Sequence, residues 1–189
     1  MAAIFSTTTE SGIDVNSVFI ASTATPEYPA PPFIAGQNAW GTDGSQWTYC
    51  TASITIAAGS VVLISAVPGS WSVALMGGAS LASYPVGQFL GVVGGSTGTL
   101  SVPAPTGSQT GTYFWVQVEG NCPNIKCVAA TTKNAQLYDS AATAGAVSSS
   151  SPGTASGFQV TGMVITQATG SAAGPNTGVL NNPTVGPAT

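Results

Sequence analysis

Acid–base chemistry is restricted by the few ionisable side chains in this sequence. Six carboxylates are present and histidine is absent. Without histidine, the Ser-His-Asp and Cys-His mechanisms and histidine-bearing zinc sites are excluded. Two carboxylates in one cleft could still hydrolyse a glycoside, and Asp43, Glu119 and Asp139 are the nearest candidates. Because Asp43 and Glu119 each precede a glycine, a pattern typical of turns, we predict no catalytic residues.

The cysteines Cys50, Cys122 and Cys127 could in principle bind a metal or form a disulfide. No fourth ligand is spaced to complete a metal site, so we expect neither a metal nor a cofactor. An odd number of cysteines in a chain of cytosolic type favours reduced thiols. A Cys122–Cys127 disulfide that closes a small loop is the alternative.

Six aromatic side chains could form a platform on which sugars stack. The simpler interpretation is that they fill a core built otherwise from small residues, because aromatic rings dominate burial in such a core. These residues are Trp40, Trp47, Tyr49, Trp71, Tyr113 and Trp115.

Charge is scarce along the whole chain. Charged residues make up 4% of the 189 residues, against roughly 25% in an ordinary soluble protein. Two lysines and a net charge of −4 cannot neutralise many phosphates. We therefore expect no nucleic-acid partner and no binding to an anionic membrane surface.

The composition predicts an all-β fold. Valine and isoleucine outnumber leucine and methionine, and 24 glycines and 13 prolines supply turns. Strand-like segments separated by turn signals favour an antiparallel β-sandwich or a small β-barrel. Residues 61–64 form a continuous apolar run, typical of a strand buried on both faces. The predicted strands are 47–52, 53–56, 61–64, 71–75, 88–93, 112–118, 125–129 and 158–166.

The two ends of the chain differ from residues 36–168, which we predict to be the β-domain. Residues 1–35 are predicted to be an extended N-terminal arm, because four prolines in residues 26–32 remove backbone donors. Residues 169–189, which include Asn-Asn-Pro, are predicted to be an irregular C-terminal tail. The arm carries apolar side chains that need cover on the domain or on a partner. The predicted interface residues are Val15, Val18, Phe19, Ile20, Tyr28 and Phe33.

Two segments resemble the decoration, or cement, proteins of tailed-bacteriophage heads. Residues 40–49 read WGTDGSQWTY, and residues 111–120 read GTYFWVQVEG. The family often has an Asp-Gly-x-x-Trp-x-Tyr strand followed by a Gly-x-Tyr-Gly-Trp-Val-Gln-x-x-Gly strand. Phe114 replaces the usual glycine, and the loop from Cys122 to Cys127 is a further departure. Residues 137–141 (LYDSA) and a glycine-containing strand within residues 157–165 extend the resemblance to roughly residues 36–170.

The resemblance implies a structural virion protein that binds the outer face of a mature capsid without catalysis. The expected partners are the major capsid protein and further copies of this chain, with a homotrimer favoured over a homodimer. Residues 1–6 lack the cationic start and long apolar stretch of a signal peptide, so we expect synthesis in the host cytoplasm.

Two other functions remain open at this point. A receptor- or glycan-binding adhesin or tail-fibre module would bind through exposed aromatic rings. A carboxylate-based hydrolase would need two of its acids to converge in a cleft.

Overall fold

The computed structural model describes residues 4–5, 13–22, 30–67, 70–77, 85–94, 100–151 and 157–188. Within these residues the chain forms twelve strands and no helix, which confirms the all-β prediction. All twelve belong to one mixed sheet. The strands are β1 (Ile4–Phe5), β2 (Val18–Ser22), β3 (Asn38–Gly41), β4 (Gln46–Ala52), β5 (Val61–Val67), β6 (Ser70–Leu75), β7 (Phe89–Val93), β8 (Gln109–Cys127), β9 (Leu137–Asp139), β10 (Val147–Ser148), β11 (Phe158–Ile165) and β12 (Gly174–Ala188).

Strand β8 belongs to two closed rings of paired strands, and a pairing between β7 and β12, Phe89 with Thr184, links the two rings. In the first ring, β4 pairs with β6, β6 with β5, β5 with β7, β7 with β8, and β8 with β4. In the second ring, β8 pairs with β12, β12 with β11, β11 with β9, β9 with β10, and β10 with β8. Closure of this kind leaves fewer open strand edges, as in barrel-like folds.

Two hydrophobic cores lie on opposite faces of β5 and β7. On β5, Val62 and Ile64 point into the first core, whereas Val61 and Leu63 point into the second. All four side chains are at most 3% exposed, so the prediction of a strand buried on both faces is confirmed. The first core also contains Cys50, Ala52, Ile56, Val73, Val93, Leu100, Val102, Phe114, Val116 and Val118. The second contains Met76, Leu90, Val92, Cys122, Ile125, Cys127, Leu137, Val147, Val160, Met163, Ile165, Leu180 and Val185.

Strand β8 is longer than the sequence predicts. We expected it to end at residues 119–121 and residues 125–129 to form its partner, but one strand runs through to Cys127. Gly120 has a φ of +94°, so it bends the strand without ending it. The Gln117 Nε2 donates to the carbonyl oxygens of Glu119 and Asn121, at 3.1 and 2.8 Å. This amide therefore satisfies backbone groups at the bend, and the strand continues into the second ring.

The expectation of an irregular C-terminal tail is wrong for residues 174–188. This segment is β12, which pairs with β8 on one side and with β11 on the other. Its Asn-Asn-Pro sequence forms a bulge opposite Gly162, where the register shifts and Asn182 has a φ of +46°. Proline is tolerated in a sheet at such a bulge, because no ladder hydrogen bond is lost there.

Candidate interaction surface

An aromatic layer covers the outer face of β4 and β8. Trp47, Tyr49 and Trp115 are at most 3% exposed and are packed with Phe33 and Tyr113 at its border. Ring centroids lie 5.0 Å apart for Tyr49–Trp115, 5.1 Å for Phe33–Trp115 and 5.3 Å for Phe33–Tyr49. These separations are typical of tilted and edge-to-face packing. The layer is therefore a third hydrophobic core. For its members, the prediction that the aromatic residues fill a core is correct.

Tyr49 is the chemically unusual member of this layer. Its hydroxyl is buried and has no hydrogen-bond partner among the described residues. Burial, with a smaller contribution from Tyr113, raises the pKa of Tyr49 to about 12. The phenol is therefore neutral at physiological pH and has no access to a substrate.

Most of the predicted interface residues contact this chain's own domain. Val15 is 6% exposed within the aromatic layer, and Phe33 packs against Tyr49 and Trp115. Val18 packs on the first core. The chain's own domain therefore covers Val15 and part of Val18 and Phe33.

Two further predicted interface residues lie on β2, which is hydrogen-bonded antiparallel to residues 109–114 of β8. Phe19 contacts Tyr113 edge-on at 6.3 Å, whereas Ile20 remains 36% exposed. Tyr28 lies outside the described residues. Of the predicted set, Ile20 is the described side chain that remains most open to a partner.

The three candidate carboxylates each have a structural hydrogen bond. In the β3–β4 turn, Asp43 Oδ1 accepts from the Ser45 amide at 3.0 Å and from Ser45 Oγ at 2.6 Å. These hydrogen bonds lower the pKa of Asp43, the reverse of what a general acid requires. Glu119 Oε2 accepts from Asn182 Nδ2 at 3.3 Å.

Asp139 is the carboxylate most strongly removed from water. It is 1% exposed, its Oδ1 accepts from the Phe158 amide at 2.7 Å, and its Oδ2 has no partner among the described residues. Burial raises the pKa of Asp139, against the opposing effect of that hydrogen bond. A raised pKa suits a general acid, but a carboxyl group on a side chain that is 1% exposed is closed to a substrate.

The thiols are equally inaccessible. Cys50, Cys122 and Cys127 are free and buried, so the predicted reduced state is the one observed and the Cys122–Cys127 disulfide is not formed. Burial raises the pKa of Cys122 to about 12 and that of Cys127 to about 11. Burial also raises the pKa of Cys50. Across the described ranges, no group of three histidine, cysteine or carboxylate side chains is placed to hold a metal ion.

Apolar side chains are exposed together beside β5 and β7. Val67 is 55% exposed, Val86 69% and Phe89 49%. Residues 64–67 and 85–89 line one shallow groove that contains all three. We name Val67, Val86 and Phe89 the Phe89 surface. Its members lie on neighbouring segments, since Ile64 of β5 pairs with Phe89 of β7.

A pocket adjoins the Phe89 surface at one open end of the first ring. Its volume is about 190 Å³. Most of its wall consists of side chains from strands of the first ring that point toward the first core. They lie at one end of that core. The lining residues are Asn38, Gln46, Thr48, Ile64, Trp71, Phe89, Leu90, Val118 and Asn182. We name this cavity the mouth pocket.

Sequence reasoning did not identify the Phe89 surface or the mouth pocket. The position of Phe89 beside the pocket could have been predicted in part. Alternation along β7 places Phe89 on the same face as Gly91 and Val93, which is the face toward the first core. The amides of Asn38 and Asn182 come from strands outside the first ring, and no local pattern links them.

Comparison with protein-family models finds no match for this chain, and none of the curated proteins matches it. Among the described residues, no helix has the length and apolar character needed to cross a membrane.

Proposed function

We propose that this chain is a structural virion protein that binds the outer surface of a tailed-phage head and stabilises the capsid as a cement protein. The observation that carries the proposal is the Phe89 surface, an exposed apolar groove on an all-β scaffold with almost no charge. Exposed apolar side chains that adjoin one another are typical of surfaces that bind other proteins.

The two segments that resemble cement proteins support the proposal because they are partners in the structure. Residues 46–52 of β4 pair with residues 112–119 of β8, in antiparallel register. The turn before β4 is held by Asp43 through Ser45, and Ser45 Oγ accepts from Trp47 Nε1 at 2.9 Å. The shared motifs therefore describe one packed unit, which is what a fold-defining motif requires.

The proposed role is non-catalytic. Asp43 and Glu119 accept hydrogen bonds from Ser45 and Asn182, and Asp139 is buried. The three thiols are buried as well. A protein that acts by contact alone needs a fixed surface and no reactive group. The proposed partners are the major capsid protein and other copies of this chain, with a homotrimer favoured over a homodimer, and the proposed location is the outer face of the virion.

The structure changes where we place the capsid contact. Val15 is buried by this chain's own domain, and Val18 and Phe33 are partly buried by it, so these side chains offer less free apolar area than the Phe89 surface. Val67, Val86 and Phe89 are exposed and could each lose apolar area on binding, at about 25 cal/mol per Å². Because no ion pair is needed for such a contact, binding should depend weakly on salt concentration.

Binding to expanded, undecorated heads of the phage that encodes this chain tests the proposal. Purified protein is mixed with heads, free protein is removed by sedimentation, and occupancy is measured at low and high salt. We expect saturable binding that changes little with salt. Failure to bind these heads would refute the cement function.

Two charge substitutions then locate the contact. Val86→Glu introduces a carboxylate into the Phe89 surface at a side chain that is 69% exposed. Val164→Glu is the matched control, since Val164 is 44% exposed on β11 of the second ring. We expect Val86→Glu to weaken binding by about tenfold or more, equivalent to about 1.4 kcal/mol. Equal occupancy by both variants would exclude the Phe89 surface as the capsid contact.

A further inference from the structure

The mouth pocket has a composition that the capsid contact does not explain. Apolar and uncharged polar side chains line it together, and none of its lining residues is charged. Pockets at the mouths of barrel-like folds that combine an apolar wall with a few converging polar groups are typical binding sites for small molecules. A volume of about 190 Å³ is below the range of pockets for drug-sized ligands, about 300–1,000 Å³, and matches one small ring.

The apolar wall contains two aromatic rings. Phe89 is 49% exposed, so its ring is available at the rim. Trp71 packs partly on the first core, and a Cβ on Gly36 would collide with its indole. Gly36 is itself fixed by a 2.7 Å hydrogen bond from its amide to the Tyr49 carbonyl. The backbone at Gly36 therefore holds the Trp71 ring in place before any ligand arrives.

The polar wall offers neutral donors and acceptors. Thr48 Oγ1 donates to Asn38 Oδ1 at 2.9 Å, which leaves the Asn38 amide nitrogen as a donor. Asn182 Nδ2 donates to Glu119, which leaves the Asn182 carbonyl oxygen as an acceptor. The Gln46 side chain adds a third amide to the wall, which can both donate and accept. Such a set complements hydroxyl groups, each of which both donates and accepts.

We infer that the mouth pocket binds one neutral sugar ring, with the apolar part of the sugar against Trp71 and Phe89 and its hydroxyl groups on Asn38, Gln46 and Asn182. Aromatic rings offer an apolar face to the C–H groups of a sugar, and neutral amides bind hydroxyls without burying a charge. An acidic sugar is disfavoured, because Asn182 holds the Glu119 carboxylate near the rim. A single sugar ring on so small a site is expected to bind in the millimolar range.

Nuclear magnetic resonance of the full chain tests this inference. The sequence contains four tryptophans, so the indole N–H region contains few signals, and the Trp71 signal is identified by its loss in Trp71→Phe. The probes are D-galactose, methyl α-D-glucopyranoside and N-acetyl-D-glucosamine, with D-glucuronic acid as the charged comparison. We expect at least one neutral sugar to shift the Trp71 indole signal saturably, and the acid to bind more weakly.

Variants assign the binding to the pocket. Phe89→Ala and Gln46→Ala each remove one part of the wall and should raise the dissociation constant by about tenfold. Trp40→Ala is the matched control, since Trp40 is an exposed aromatic residue outside the pocket lining and should leave it unchanged. The inference is overturned if no neutral sugar shifts Trp71, or if Phe89→Ala and Trp40→Ala behave alike. It is also overturned if only undecorated heads, and no sugar, shift Trp71, because the pocket would then bind a protein side chain.

Discussion

The two rings share β8 but are filled and covered differently. The first ring has its own core and, on the outer face of β4 and β8, the aromatic layer of Trp47, Tyr49 and Trp115. Among the residues that the structure describes, the second core consists of aliphatic side chains, two methionines and two cysteines, with the aromatic ring of Phe158 packed at its edge. The difference indicates that the first ring is enclosed by large rigid rings, whereas the second is filled by smaller, adaptable side chains.

The rings also differ in what they present to solvent. The mouth pocket and the Phe89 surface both lie at the first ring. Val164 and Val179 of the second ring are exposed as a cross-strand pair on β11 and β12. Scattered exposure of single apolar residues is ordinary, but a groove with several of them is not. We therefore propose that the first ring is the one that contacts a partner and that the second supports it structurally.

Removing the centre of the aromatic layer should have the largest effect. Trp115 is fully buried and lies within about 5 Å of both Tyr49 and Phe33. Trp115→Ala should lower the free energy of unfolding by about 3–5 kcal/mol, the usual cost of truncating a buried large aromatic residue. Urea denaturation measures this change. Trp40→Ala, at a side chain that is 44% exposed, should cost less than about 1 kcal/mol. Similar losses in both variants would show that the layer does not stabilise the first ring.

The bend at Gly120 is where β8 passes from one ring to the other, and it should give the second largest effect. Gly120 has a φ of +94°, and a Cβ there would lie 2.8 Å from Ser45 Cα. Gly120→Ala should lower the free energy of unfolding by about 2–4 kcal/mol, from backbone strain and overlap together. Gly107→Ala is the control, because Gly107 also has a positive φ, +60°, but a Cβ there meets nothing within 4 Å. That variant should cost about 1 kcal/mol. If the two losses are equal, contact with Ser45 does not define the bend.

The same difference between the rings determined what the sequence could predict. The strands of the first ring have alternating or continuous apolar patterns, so residues 47–52, 61–64, 71–75 and 112–118 were predicted within β4, β5, β6 and β8. Their side chains are buried by near neighbours, and local periodicity reports this burial well.

Within the second ring β11 was predicted, as residues 158–166, but β12 and the continuation of β8 through Gly120 were not, because their glycine, asparagine and proline residues are also turn formers. In β12 these residues lie in a bulge that packs closely on Gly162 of β11, where a Cβ would lie 2.6 Å from the Asn181 carbonyl oxygen. In β8, Gly120 bends the strand because Ser45 of another hairpin packs against it. The bulge in β12 and the bend in β8 both depend on contacts between residues distant in sequence. A prediction from local sequence patterns therefore assigns these segments to loops.

The candidate site was predicted least well for a similar reason. The apolar residues of the N-terminal segment were expected to be buried on the domain or on a partner and were named as interface residues, whereas Val15 lies within the aromatic layer and Phe33 packs against it. The sequence shows that a side chain is apolar, not which surface covers it. The mouth pocket joins amides from β3 and β12 to the end of the first ring, a juxtaposition that only the topology creates.

The smallest expected effect is a contrast in pH dependence between Asp43, at the first ring, and Asp139, in the second. Hydrogen bonds from Ser45 lower the pKa of Asp43 below its ordinary value of 3.8, so this carboxylate stabilises the fold above pH 3.8. That contribution is lost as the pH falls through the lowered pKa. Burial raises the pKa of Asp139 above 3.8, so its contribution is fully present below pH 3.8 and is lost as the pH rises through the raised pKa.

The free energies of unfolding of the wild type, Asp43→Asn and Asp139→Asn, measured across acidic pH, test this contrast. The free energy of unfolding of the wild type, relative to that of Asp43→Asn, should fall as the pH decreases below about 3.8. Relative to that of Asp139→Asn, the free energy of unfolding of the wild type should fall as the pH increases above about 3.8. Solvent around the exposed Asp43 weakens its effect, so the slope for Asp139 should be the steeper. The Asp139→Asn substitution also replaces an unpartnered oxygen with an amide donor. This replacement changes the free energy of unfolding by an amount that does not depend on pH, so the slope of the difference curve is unchanged. Two difference curves with the same sign of slope would show that the carboxylates occupy similar electrostatic environments, and the contrast between an exposed turn and a closed core would then be wrong.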